Sequence, residues 1–266
     1  AVLSLYVSRY EEQLGSSVGP AVKAVWDLVN ACGDCVELDR LVAAGISFLA
    51  TAAGTEWQTS PFADSAALQA ICERIVLPNI RLRASDIELC REEPREYIVR
   101  DIEGGDEETR RRSAMDLVRA LRRFHNAVVC EVCAGYVARL LEQAKSADEE
   151  HEILCLDTCL HLVIALASNG SKDGGLNASI VEQFFVSQVE PELQAAQMSA
   201  NRALFRASCL KFVGQMRTRL PKPCLLAILP AVSRHSLAEN PVVHTYAAVC
   251  ANLVTTVQEP TGPDGQ

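Results

Sequence analysis

Residues 110–123 read Arg-Arg-Arg-Ser-Ala-Met-Asp-Leu-Val-Arg-Ala-Leu-Arg-Arg. Apolar side chains fall at Ala114, Leu117, Val118 and Leu121, the i, i+3, i+4, i+7 spacing that lines them along one stripe of an α-helix. The same period returns in nearly every flanking segment, and no run alternates in the manner of a strand. Gly, Pro, Asp and Asn interrupt it, leaving helices of about 13 to 20 residues, an ordinary length. The fold class is all-α.

Working outward, residues 1–14 form one helix without a partner, and the chain opens inside it with no Met, as a piece of something longer would. Pairs follow at 19–32 with 36–53, 63–80 with 106–125, 127–145 with 148–169, 177–196 with 200–217, and 221–236 with 240–256; residues 257–266 read as a flexible tail. The second helices share a cation, a small residue three later and an apolar residue three further on. It appears as Arg40/Ala43/Ile46, Arg111/Ala114/Leu117, Arg206/Cys209/Phe212 and His244/Ala247/Cys250. The small residue lets paired helices approach, and the cation can reach acids or carbonyls at its turn. The first helices echo one another as well: Val76-x-Pro78-x-Ile80 matches Val189-x-Pro191-x-Leu193, with Cys72 opposite Phe185. Arg206 and His244 lie 38 residues apart, near the ~40–47 of HEAT and armadillo units. Arg40 and Arg111 lie 71 apart, one repeat plus a surplus of about thirty residues. The pattern is a HEAT-type solenoid, an α–α superhelix, with a long insertion inside one repeat at 85–105.

That insertion is acidic. Residues 85–108 carry ten acids against three arginines, a local charge of −7 in a chain whose formal total is −9, and residues 110–123 then hold six arginines against Asp116 alone. Opposed fields of this kind suit the gripping of charged protein surfaces; an ordinary solvated loop ahead of an amphipathic helix would carry such a charge run too. The acidic balance and the lack of a basic stripe with interleaved aromatics argue against nucleic acid as a ligand. No apolar run approaches the ~18 residues that span a bilayer, so membrane insertion is not expected.

Eleven cysteines are an odd number in a chain too large to need disulfide staples. Cys155, Cys159, Cys209 and Cys250 sit where small apolar residues belong on helices, as reduced core side chains. Cys32-Gly33-Asp34-Cys35 and Cys130-Glu131-Val132-Cys133 have CxxC spacing, but in a solenoid such distant segments sit repeats apart and do not converge on one metal. His125, His151, His161, His235 and His244 lack a nucleophile in an elbow, and no phosphate-binding or metalloprotease motif occurs. Neither an enzyme nor a bound metal or cofactor is expected.

At Glu96–Arg112 the run Glu-Tyr-Ile-x-Arg-Asp-x-Glu-Gly-x-Asp-x-x-Thr-Arg-Arg-Arg, continuing Ala114-Met115-Asp116-Leu117-Val118-Arg119, resembles the central insertion repeat of the importin-α re-exporters. These are the exportin-2, or cellular apoptosis susceptibility, family within the importin-β (karyopherin) superfamily. Ile71-Cys72-Glu73-Arg74 with Pro78-Asn79, Gly135-Tyr136-Val137 and Val242–Ala248 agree in order and spacing. Gly105 stands where a serine is expected and Ser113 where an alanine is, and the loop Asn169–Asn177 differs freely. The resemblance implies export of importin-α from nucleus to cytoplasm, with Ran-GTP and importin-α bound along a concave face and released on GTP hydrolysis. Nucleoporins are a further class of partner. It also places the insertion near Ran and cargo as a hinge. The segment so marked contains Glu96, Arg100, Asp101, Glu103, Gly104, Gly105, Asp106, Arg110 and Arg112. Gly104-Gly105 gives backbone freedom at the entry to a helix, and Asp106, Glu107 and Glu108 are placed to cap that helix or to meet a partner. Successive helical positions turn by about 100°, so at most two of Arg110, Arg111 and Arg112 share a surface. Arg111 holds the repeated cation position and is assigned to structure, pairing with acids at its turn; Arg110 and Arg112 are left to engage the insertion or a partner. Another class of reading, a HEAT scaffold such as a regulatory subunit, has no use for a long acidic insertion, since long loops inside compact units are seldom without function.

Overall fold

The computed structural model describes residues 4, 6–7, 15, 17–57, 60–103, 109–167, 176–196 and 199–256; the helix read over 1–14 falls largely outside them, and the tail wholly so apart from the last turn before it. Every regular element among the described residues is helical. Contacts divide the chain into two compact units, Ala1–Asn177 and Ala178–Gln266.

In the first unit α1 (Val18–Cys32) turns through Val36–Leu38 into α2 (Asp39–Ala53). Side chains of α1 press on the α2 backbone at Gly45, where a Cβ would lie 2.8 Å from Val29 Cγ2. The next helix, α3, begins at Asp64, whose carboxylate accepts from the Ala67 amide, the usual way of satisfying an orphan donor at a helix start. It runs Ser65–Ile71, a π-helical turn Cys72–Val76, and Leu77–Ile80. Pro78 explains the widening. Having no N–H, it cannot bond back to residue 74, and its ring crowds that carbonyl; one wide turn ahead of it removes the conflict.

The insertion supplies α4 (Ala84–Glu92) and α5 (Pro94–Ile98), continued by a π turn Val99–Glu103. It is therefore largely helical where described. Helices read separately over 106–125 and 127–145 are one, α6 (Arg110–Ala144), bent at His125 (φ −128°, ψ 36°). Asn126 after His125 reads as a break, yet the chain bends there without leaving the helix. Next comes α7 (Glu149–Ala167), buried without interruption from Leu156 to Ala167. It forms the unit's core with α6, which also packs on α2.

The second unit opens with α8, built from Ala178–Phe184, a π turn Phe185–Val189 and Glu190–Gln194. The echo between Val76-x-Pro78 and Val189-x-Pro191 thus has a structural meaning: both π turns occupy the same place relative to the proline, with Cys72 and Phe185 as their first residues. Then follow α9 (Ala203–Met216), α10 (Lys222–His235) and α11 (Pro241–Thr255).

All eight small and apolar positions of the second-helix signature are buried: Ala43, Ile46, Ala114, Leu117, Cys209, Phe212, Ala247 and Cys250. The cation behaves less uniformly. Arg111 pairs with Asp157 at 2.9 Å and Arg206 with Glu192 at 3.0 Å, whereas Arg40 and His244 are exposed. Burial of the small and apolar positions is what all four copies share.

Candidate functional site

Between Ala84 and Ile102 one side chain alone is buried, Tyr97. Burial, with Asp101 nearby, pushes its phenol well above the ordinary range, so it stays neutral and serves as an apolar anchor. Glu88, Glu92, Glu93 and Glu96 are exposed. The insertion thus presents these glutamates outward and fully buries one aromatic, while Ile87, Leu89, Ile98 and Ile102 are half-buried. A segment with one fully buried side chain packs less firmly than the core around α7.

Its two ends are held by charge. Arg83, immediately before α4, donates to Asp39 at the start of α2 through both terminal nitrogens, one at 2.8 Å. Arg110, the first residue of α6, places Nε 2.7 Å from the same carboxylate. Its terminal nitrogens donate to the carbonyls of Gly33 and Cys35, each at 2.6 Å. One carboxylate therefore ties both roots of the insertion to the turn between α1 and α2. Asp34 of that turn lies 3.4 Å from Arg83. Asp86 extends the network by accepting from the Arg83 amide at 3.3 Å and from Arg100 at 3.4 Å. Arg83 and Arg110 are 8% and 6% exposed at the side chain; such a desolvated pair is costly to break, because removing one partner leaves the other charge uncompensated. A cavity of about 30 Å³ lies beneath, lined by Arg83, Asp86, Tyr97, Arg100 and Arg110 among others.

Several expected site residues take other places. Arg110, expected to engage the insertion or a partner, is committed to Asp39 and two backbone carbonyls. Its partners lie more than seventy positions away in sequence, beyond the reach of local periodicity. Arg111 is structural as expected, but its acid is not at its own turn. It crosses to Asp157 on α7, with His161 Nε2 3.4 Å away. The cap of α6 is Thr109, whose hydroxyl accepts from the Arg112 amide at 3.2 Å. Gly104, Gly105 and Asp106 lie outside the described residues, as does the side chain of Glu103. Glu96 and Arg112 are exposed and Asp101 half-buried; Arg100 is partly exposed and bound to Asp86.

Missed in the sequence were Asp39, Arg83, Asp86 and Tyr97. A signal for one of them existed: Arg83 and Arg110 are the cations that bracket the acidic run. The Cys32–Cys35 turn, weighed above only as a metal motif, supplies instead the carbonyls and the Asp34 carboxylate that receive those arginines.

With this geometry in view, similarity to known proteins is specific. The family model described as Cse1 matches residues 1–251. Exportin-2 of Dictyostelium discoideum is 37% identical and that of Homo sapiens 35% identical, each over 97% of this chain. The chain spans 27% of the length of both relatives. The structure of the exportin Cse1 in its cargo-free, cytoplasmic state superposes with a TM-score of 0.85 at 28% identity, over 95% of this chain and 28% of that one. The HEAT-repeat solenoid inferred from the periodicity is thereby the observed fold class, and the chain belongs to the Cse1, or exportin-2, family.

Proposed function

We propose that this chain is a repeat segment of a nuclear export receptor that shuttles between nucleus and cytoplasm. In this reading the receptor binds Ran-GTP and importin-α together, carries importin-α outward, and releases both when GTP is hydrolysed. It is a receptor and not a catalyst. The observation that carries the reading is the insertion: an acidic, outward-facing segment with one buried side chain, pinned at both roots to Asp39. Such a segment can change position or partner while its roots stay fixed, which is what a hinge at a cargo surface requires. Glu96, Asp101, Glu103 and Asp106 are assigned to contact with basic partner surfaces, with Arg112 beside them at the start of α6. Arg100 ties the π turn after α5 to Asp86, Gly104 and Gly105 supply the pivot, and Arg110 is the fixed root.

The test is a pull-down of the 266-residue chain and of its full-length parent with Ran loaded with GTP or GDP, with and without importin-α. The parent is expected to retain Ran-GTP strongly only when importin-α is present, and to retain Ran-GDP poorly. Equal retention of both nucleotide states would remove the transport reading.

A further inference from the structure

The turn that receives Arg83 and Arg110 also carries two thiols. Among the described residues Cys35 is the only exposed cysteine, and Cys32, three positions before it, is half-buried. The Cys35 amide donates to the Cys32 carbonyl at 3.4 Å, closing a four-residue turn. Gly33, at φ 53° and ψ −137°, takes the conformation of the first central residue of a type II′ turn, where glycine is favoured. The ends of such a turn lie within about 7 Å at Cα, and disulfides bridge Cα atoms roughly 4.4–6.8 Å apart. The other CxxC pair, Cys130 and Cys133, lies within α6 with Cys133 buried, so a reagent in solution does not reach both of its sulfurs.

We infer that Cys32 and Cys35 are a modification site for small disulfides, an oxidisable dithiol that closes to an intrachain bridge and firms the roots of the insertion. The Cys35 thiolate attacks one sulfur of the reagent, forming a mixed disulfide and expelling one thiolate. The Cys32 thiolate then attacks the Cys35 sulfur, the bridge forms, and the second thiolate leaves. Each leaving group takes up a proton equivalent to the one a cysteine gave up, so two protein thiols are oxidised and one disulfide is reduced to two thiols. At rest the Cys35 thiol donates to Glu37 at 3.0 Å. That carboxylate raises the thiol pKa and keeps the sulfur protonated, so the reaction calls for reagent in excess. Once formed, the bridge constrains the turn whose Gly33 and Cys35 carbonyls accept from Arg110 and whose Asp34 meets Arg83. The inference does not depend on the transport reading, because it uses neither cargo nor a GTPase.

The experiment treats the folded 266-residue chain with millimolar cystamine, blocks the remaining thiols with iodoacetamide and maps the peptides by mass spectrometry. Cystamine suits the site because it is cationic, and Asp34 and Glu37 present exposed carboxylates beside the thiol. The peptide containing Cys32 and Cys35 should lose two hydrogens and all alkylation, and should recover both on reduction. Cys32→Ser should stop at a stable adduct on Cys35. Amide exchange over residues 84–102 should slow in the bridged chain and stay as it was in the treated Cys32→Ser chain, with unchanged helical circular dichroism in each. A persistent adduct on Cys35 in the unsubstituted chain, earlier oxidation of any other cysteine, or exchange indifferent to the bridge would each overturn the assignment.

Discussion

Replacing Asp39 by Asn tests the clamp at the root of the insertion. The substitution preserves shape while removing the charge shared by Arg83 and Arg110. Breaking a buried ion pair by removing one partner costs about 3–5 kcal/mol, because the other charge is left uncompensated in a poor solvent. Here that figure must be reduced. The Asp39 side chain is 21% exposed, Arg83 keeps Asp34 at 3.4 Å and Asp86 at 3.7 Å, and Arg110 keeps its two carbonyls. About 2–3 kcal/mol is the expected loss. Trp26 and Trp57, the chain's two tryptophans, both lie in the first unit, so their fluorescence during urea unfolding reports this region. With an m-value of about 2–3 kcal/mol per molar, the midpoint should fall by roughly 1 M. Amide exchange over residues 84–102 should accelerate more than exchange in the core of α7. A midpoint shift below about 0.2 M with unchanged exchange would refute the idea that one carboxylate fixes both roots.

Other consequences follow from packing and burial. Gly45→Ala should destabilise the first unit by about 1–3 kcal/mol through the 2.8 Å approach to Val29 Cγ2, and adding Val29→Ala should recover part of that loss in the same urea assay. In the second unit, burial depresses the His235 pKa while Nε2 stays 2.8 Å from the Leu193 carbonyl. The neutral ring is favoured there, so its stabilising contribution is complete above the unfolded value of about 6.5 and declines as pH falls below it toward the lower folded value. Exchange in α10 should rise over that window in the parent chain and flatten in His235→Gln. Burial pushes the Cys159 and Cys250 thiols up to about 12, so iodoacetamide at pH 8 should leave both unmodified until the chain unfolds; prompt alkylation would contradict their place in the core.

The helices were legible because each must bury one face, and the 3.6-residue period records that need directly. Ala43, Ala114, Cys209 and Ala247 are buried for the same reason. The prolines at 78 and 191 were visible as an echo, but a π turn is a matter of backbone hydrogen-bond register, which side-chain pattern does not encode. His125 marks a bend that periodicity cannot tell from a loop, since both interrupt the apolar stripe. The site was less legible than the fold. Its acidic character showed in composition, whereas the joining of Arg83, Arg110 and Asp39 depends on how three separated segments meet. Local rules also misdirected Arg111, whose acid waits on α7.

Charge reversal in the full-length receptor tests the central claim most directly. Asp101→Lys, Glu103→Lys and Asp106→Lys together avoid the clamp residues and should preserve helical circular dichroism. Titration of Ran-GTP with importin-α against this variant should show assembly weakened by about tenfold or more at low salt, with the gap closing as ionic strength rises and exposed charges are screened. Unchanged assembly of both partners at low salt would reduce the insertion to a solvated segment and contradict its role as a contact and hinge.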